Sequence, residues 1–240
     1  MNSSTEARRM AGKHKVFIVD DHPIVREGLA QLIAHEPDME VCGGAEDVSE
    51  ALERVTAARP DLVVVDISLK ESHGIDLIVR LKDRHEGIKM LVWSMFDEKL
   101  FAERALRAGA VGYISKQEST DQVVDAIRQV LRGEIYLSPP MTSRLLLRMR
   151  RGAASAEDPV AGLSNRELAV FEMIGEGMTT QQIARKLHRS PKTIEAHREK
   201  IKRKLSLANA AELNRRAVQW VLESGRLPGS PVAHVEEKDS

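Results

Sequence analysis

Cysteine occurs once in the 240 residues, at Cys42, and aromatic residues make up only 3%. A single cysteine provides no disulfide framework, and nothing argues for an oxidising compartment. Cys42 lies in a strand-like stretch and reads as a small core residue rather than a reactive thiol. Long apolar runs are missing too. The longest, such as "DLVVVDI" at 61–67, are far too short to cross a bilayer, so no membrane partner is expected. The opening "MNSSTEARRMAGKH" has no apolar core of a secretory signal, which leads us to expect a cytoplasmic location. Net charge is also absent: 36 Lys and Arg balance 36 Asp and Glu.

That balance conceals a division. Residues 14–137 hold 15 Lys and Arg against 23 Asp and Glu, a net −8, whereas residues 161–224 hold 12 against 7, a net +5. An acidic module followed by a smaller basic one suggests a regulatory part joined to a part that meets a polyanion.

Short β-branched runs, "KVFIVD", "MEVCGG", "DLVVVDI", "IKMLVWS" and "VGYIS", alternate with stretches of helical apolar spacing at 23–35, 47–59, 74–84, 97–107 and 119–133. Asp97 and Ser119 suit helix N-caps, and Gln122 would complete a capping box with Ser119. Five strands alternating with five helices predict an α/β fold, a doubly wound five-stranded parallel sheet covered on both faces. After this, "YLSPP" at 136–140 reads as a turn, "MTSRLLLRMRR" as a short helix and "GAASAEDPVAG" as a linker, with the hinge near 152–161. The final segment reads as four helices. Ser164 with Glu167 and Thr179 with Gln182 have capping-box spacing, Ser190 precedes Pro191 at a helix start, and a last helix spans roughly 209–223.

In "VFIVDDHPIV", residues 16–25, two aspartates stand side by side at the end of a buried strand. Like charges repel, so Asp20 and Asp21 are either a helix cap or part of a cation site. The other strand ends decide between these. The third strand ends at Asp66, the fourth at Ser94, and the fifth is followed by Lys116. In a doubly wound sheet all of these face one crevice. Three carboxylates, a hydroxyl and an ammonium suit Mg²⁺ together with a phosphoryl group, and a carboxylate can act as the nucleophile that accepts it. Taken singly, each residue has a blander reading as a cap, a strand end or packing. His22 reads as a loop residue without chemistry.

On the helix opened by Ser190, Ile194, Ile201 and Leu205 share one face with His197 at its edge. The opposite face carries Lys192, Glu195, Ala196, Glu199, Lys200 and Arg203. With "TTQQIARKLH" before it, this reads as a helix-turn-helix. Lys192, Glu195, Ala196 and Glu199 would face base edges of double-stranded DNA, while Thr180, Arg189, Lys200, Lys202 and Arg203 are placed for phosphates. Carboxylates can accept from cytosine N4, so the two glutamates are compatible with sequence readout.

These motifs carry a resemblance. Residues 14–135 resemble the receiver domain of two-component response regulators, and the C-terminal segment, residues 162–225, resembles the all-α four-helix DNA-binding domain of the LuxR/NarL/FixJ type. Residues 136–161 would be the linker and 226–240 a tail. The resemblance implies Asp66 as phospho-acceptor, Asp21 as direct and Asp20 as water-mediated Mg²⁺ ligand, and a backbone carbonyl at Ser68 completing the metal site. It further implies that Ser94 and Lys116 hold the phosphoryl group and that Tyr113 is an aromatic switch turning inward on phosphorylation. The implied partners are a histidine kinase, double-stranded DNA and a second copy of the chain, met through the last helix. Lys70 and Gln117 stand where the family often has proline, although Gly74 matches, and Met95 is bulkier than usual. An aspartate-nucleophile phosphatase would want a second aspartate where Ser68 stands. A receiver controlled by partner binding without phosphate is the remaining alternative.

Overall fold

The strand runs assemble as their alternation predicts. The computed structural model describes residues 12–69, 73–151 and 159–223, and the chain divides into two units, 1–155 and 156–240. In the first, β1 (His14–Val19), β2 (Met39–Ala45), β3 (Leu62–Val65), β4 (Lys89–Ser94) and β5 (Gly112–Ser115) form one parallel sheet of order β2-β1-β3-β4-β5. Helices α1 (Pro23–Ala34), α2 (Val48–Ala58), α3 (Gly74–Arg84) and α4 (Glu98–Ala108) connect successive strands, and α5 (Thr120–Leu131) and α6 (Pro139–Arg151) follow β5. Every residue of β3 is buried, as expected for a central parallel strand with helices on both faces. Val16, Ile18, Val64 and Leu91 pack with Leu29 and Ile33 of α1 and Val123, Ile127 and Val130 of α5. Phe17, Val63 and Val92 alternate with them along the strands, so the pleat turns them to the other face, where they are equally buried.

The anticipated caps are present. Asp97 accepts from the Lys99 amide at 2.7 Å, and Ser119 with Gln122 closes a capping box. Three expectations change. The "YLSPP" stretch is not a simple turn: Tyr136 forms a parallel bridge to Gly112 at the β5 edge, and α6 opens directly at Pro139. Prolines fit a first helical turn because no intrahelical partner awaits their missing N–H there. Cys42 is only half-buried, because the β1–β2 register slips there and leaves it between paired residues, with its thiol donating to the Val16 carbonyl at 3.5 Å. Within the expected linker, Pro159–Gly162 forms a short 3₁₀ turn, while 152–158 lie outside the described residues.

The second unit contains α7 (Asn165–Gly175), α8 (Thr180–Lys186), α9 (Pro191–Lys204) and α10 (Ala210–Glu223). Capping boxes at Ser164–Glu167 and Thr179–Gln182 open α7 and α8, and Ser190 caps α9 ahead of Pro191. Leu168, Phe171, Ile174, Ile183, Ile194, Ile201, Leu213 and Trp220 are buried, and the Phe171 and Trp220 rings lie 5.5 Å apart. A Cβ at Gly175 would fall 2.5 Å from the Ala217 carbonyl oxygen, so glycine is what lets α7 and α10 approach so closely.

Candidate functional site

Backbone hydrogen bonds align the strand ends. The Asp66 amide donates to the Val19 carbonyl at 2.8 Å, and the Lys116 amide donates to the Ser94 carbonyl at 2.9 Å. The carboxylates after β1 and β3 are thereby neighbours, at the point where the strand order reverses and a ligand crevice is expected. The loop after β1 is fixed by the Arg26 guanidinium, which donates to the Asp20 carbonyl at 2.6 Å. Gly74 opens α3 against the end of β3. A Cβ there would lie 2.0 Å from the Asp66 carbonyl oxygen, so no other residue fits without moving Asp66.

Asp20, Asp21 and Asp66 are all buried. The Lys116 ammonium lies 2.5 Å from Asp20 Oδ2 and 2.7 Å from Asp66 Oδ2, with its side chain 8% exposed. Burial works against that charge, but the Asp66 and Asp20 carboxylates outweigh it and raise the lysine above its ordinary pKa. One ammonium cannot balance three carboxylates. The other oxygen of Asp66, Oδ1, is buried with no hydrogen-bond partner. Ser94 is fully buried, its Oγ accepting from the Phe96 amide at 3.3 Å. Ser68, half-buried, lies two residues beyond Asp66, and Met95 is 58% exposed. Lys70 lies outside the described residues. Gln117 donates its amide to Ser115 Oγ at 3.2 Å, a bond a proline could not make.

The Tyr113 ring is fully buried, turned inward, and its hydroxyl donates to the Phe96 carbonyl at 2.8 Å. The β4–α4 loop already accepts it there.

Two neighbours were not anticipated. His22, read from the sequence as a loop residue without chemistry, places Nδ1 2.9 Å from Asp21 Oδ1 and 3.3 Å from Asp20 Oδ1. Asp20, Asp21, His22 and Asp66 each offer a ligand atom, all within 4.8 Å of one another. The adjacency "DDH" was the available signal. Trp93, in β4, lies beside Lys116, with Nζ 5.4 Å from its ring centroid. No periodicity in the sequence marks that contact.

In the second unit, Lys192, Glu195, Ala196, Glu199, Lys200 and Arg203 are exposed on α9, while Thr180, Arg189 and Lys202 are half-buried. The Thr180 hydroxyl donates to Glu195 at 2.7 Å, joining α8 to α9, and Lys202 pairs with Glu199 at 2.8 Å. Both glutamates therefore have partners within the motif. At the far end, burial opposes ionisation of Glu167, but hydrogen bonds from Lys204 and Ser164 prevail and hold its carboxyl below the usual range. His197 is half-buried, and burial, with Lys200 and Arg166 nearby, lowers its pKa. Among the described residues no helix is long and apolar enough to cross a membrane.

Comparison with known proteins agrees with this geometry. Residues 16–128 match the response regulator receiver domain, and residues 161–217 match the luxR family of bacterial regulatory proteins. The chain is 35% identical to the oxygen regulatory protein NreC of Staphylococcus carnosus over 204 residues, covering 83% of this chain and 94% of the relative. It is 33% identical to the DNA-binding transcriptional activator DevR/DosR of Mycobacterium tuberculosis, covering 90% and 98%. A structure of RcsB from Salmonella enterica serovar Typhimurium, bound to promoter rprA in the presence of the phosphomimetic BeF3⁻, superposes with TM-score 0.55 at 25% identity, covering 86% of this chain and 99% of that one. An acidic crevice at the strand ends and, later in the sequence, a capped helix-turn-helix thus occur in one chain with two family matches, and the protein belongs to the two-component response regulators with a LuxR-type DNA-binding domain.

Proposed function

We propose that Asp66 accepts a phosphoryl group from a partner histidine kinase, and that this modification controls dimerisation and DNA binding by the helix-turn-helix in a cytoplasmic regulator. The observation that carries the reading is Asp66 itself. One of its oxygens is held by Lys116 and the other, buried, has no hydrogen-bond partner, which leaves a carboxylate oxygen positioned to attack phosphorus. In the transfer, that oxygen forms the new O–P bond as the N–P bond to the kinase imidazole breaks. Lys116 then pairs with a phosphoryl oxygen, and the Ser94 hydroxyl donates to another. The charge excess of the carboxylates and their all-oxygen donor set fit a hard divalent cation, so Asp20, Asp21, Asp66 and the Ser68 carbonyl would hold Mg²⁺. Bound there, the ion neutralises charge on the phosphoryl oxygens.

Further along the chain, the N-terminal half of α9 would enter the major groove, with Lys192, Glu195, Ala196 and Glu199 toward base edges. Thr180, Arg189, Lys200, Lys202 and Arg203 would meet phosphates. Val218 and Leu222, exposed four residues apart on α10, support that helix as the contact between two DNA-bound copies. Intact-mass measurement after incubation with a small phosphodonor tests the central claim. Wild type should gain one phosphate only with Mg²⁺, and Asp66→Asn should gain none. Equal uptake by the variant would sink the assignment.

A further inference from the structure

We propose that His22 is a metal ligand of the receiver crevice and gives it selectivity for imidazole-accepting transition ions, such as Co²⁺, Ni²⁺ and Zn²⁺, over Mg²⁺. The inference rests on the reading of the crevice as a cation site and adds a donor that three aspartates and a backbone carbonyl do not supply.

The geometry carries it. Around an octahedral ion with bonds of about 2.1 Å, neighbouring ligand atoms stand roughly 3.0 Å apart. His22 Nδ1 lies 2.9 Å from Asp21 Oδ1 and 3.3 Å from Asp20 Oδ1, the spacing of ligands at adjacent corners. Asp66 closes the group, all four ligand atoms lying within 4.8 Å, and its buried Oδ1 has no hydrogen-bond partner. Without metal, the contact with the carboxylates holds the imidazole where a ligand belongs. The backbone also keeps it there: the His22 amide donates to Asp20 Oδ1 at 2.8 Å, and Pro23 fixes the chain that follows. His22 occupies the N-cap position of α1, yet its side chain makes no capping hydrogen bond.

Chemistry sets the direction of the effect. Mg²⁺ is a hard ion that takes oxygen and gains little from a nitrogen donor, whereas imidazole suits Co²⁺, Ni²⁺ and Zn²⁺. The crevice would then fill with such ions at concentrations where Mg²⁺ still leaves it partly empty.

Calorimetric titration of the full-length protein with Co²⁺ and, separately, with Mg²⁺ tests this in wild type, His22→Ala and His22→Gln. Both variants should bind Co²⁺ about tenfold or more weakly, with Mg²⁺ affinity changed by less than about threefold. In the Co²⁺ form of wild type, proton NMR should show the hyperfine-shifted exchangeable N–H of a coordinated imidazole, and His22→Ala should lack it. Unchanged Co²⁺ binding, equal losses for both ions, or tighter binding of both would each overturn the assignment. The last result would make His22 a counterion that metal displaces. Binding of neither ion by wild type would overturn the metal reading of the crevice together with this one.

Discussion

Lys116 and Asp66 form a 2.7 Å ion pair in which neither side chain is more than a tenth exposed. Breaking a buried pair from one side costs about 3–5 kcal/mol, because the remaining charge stays buried without compensation. Lys116→Met should therefore lower the melting temperature of the receiver transition in metal-free buffer. Added Mg²⁺ should recover more stability in the variant than in wild type, since the carboxylates it meets are less compensated. Thermal unfolding with and without Mg²⁺ measures both. An equal Mg²⁺ response in the two proteins would show that the ion and the ammonium do not share these carboxylates.

Gly74→Ala places a methyl group against the Asp66 carbonyl oxygen, with only 2.0 Å between them before any adjustment. The start of α3 must move away from β3, at a cost of about 1–3 kcal/mol. Urea denaturation should show that loss, and phosphate uptake should slow even where the variant is still folded. A stable variant with normal uptake would mean that α3 shifts freely.

Arg203→Ala and Lys200→Ala should weaken DNA binding for all sequences alike. Each lost phosphate contact should reduce the slope of log affinity against log salt by about 0.9. Glu195 differs because its carboxylate also holds Thr180. Glu195→Gln should change the preferred sequence with little change in slope, as read by binding titrations against a randomised duplex pool. The same preference in variant and wild type would remove Glu195 from base readout.

Glu167 supplies a pH test for the DNA-binding unit. Its folded-state pKa lies below the ordinary value, despite burial, through Lys204 and Ser164. Its contribution is thus complete above the unfolded-chain pKa of about 4.3 and disappears as pH falls through the folded value. Glu167→Ala should cost about 1–3 kcal/mol at pH 7, and the gap from wild type should close below about pH 4. A gap that stayed constant across that range would assign the loss to packing.

Much of this was legible before any coordinates. The alternation of five β-branched runs with helical spacing gives the sheet, because burial on both faces permits little else. Asp20, Asp21, Asp66, Ser94 and Lys116 fall at successive strand ends, so topology alone gathers them. The sequence did not reveal His22, whose ring is positioned by a loop with no periodicity, or Trp93, whose ring meets the Lys116 ammonium from the neighbouring strand. Tyr136 was hidden by its setting, since "YLSPP" has the composition of a turn and its pairing to Gly112 spans 24 residues.

The Tyr136 bridge makes the stretch after α5 part of the load path. Tyr136 accepts from the Tyr113 amide at 2.9 Å and donates to the Val111 carbonyl at 3.2 Å, so it clips onto the last strand like a short sixth one. The Ser138 amide anchors the next step by donating to Glu98 at 2.9 Å. A pull applied to α6 would peel this clip, with its bonds to Tyr113 and Val111, before it reached any other strand. A chain cut at residue 135 would in turn leave the β5 edge uncovered, presenting bare amides and carbonyls to any passing strand.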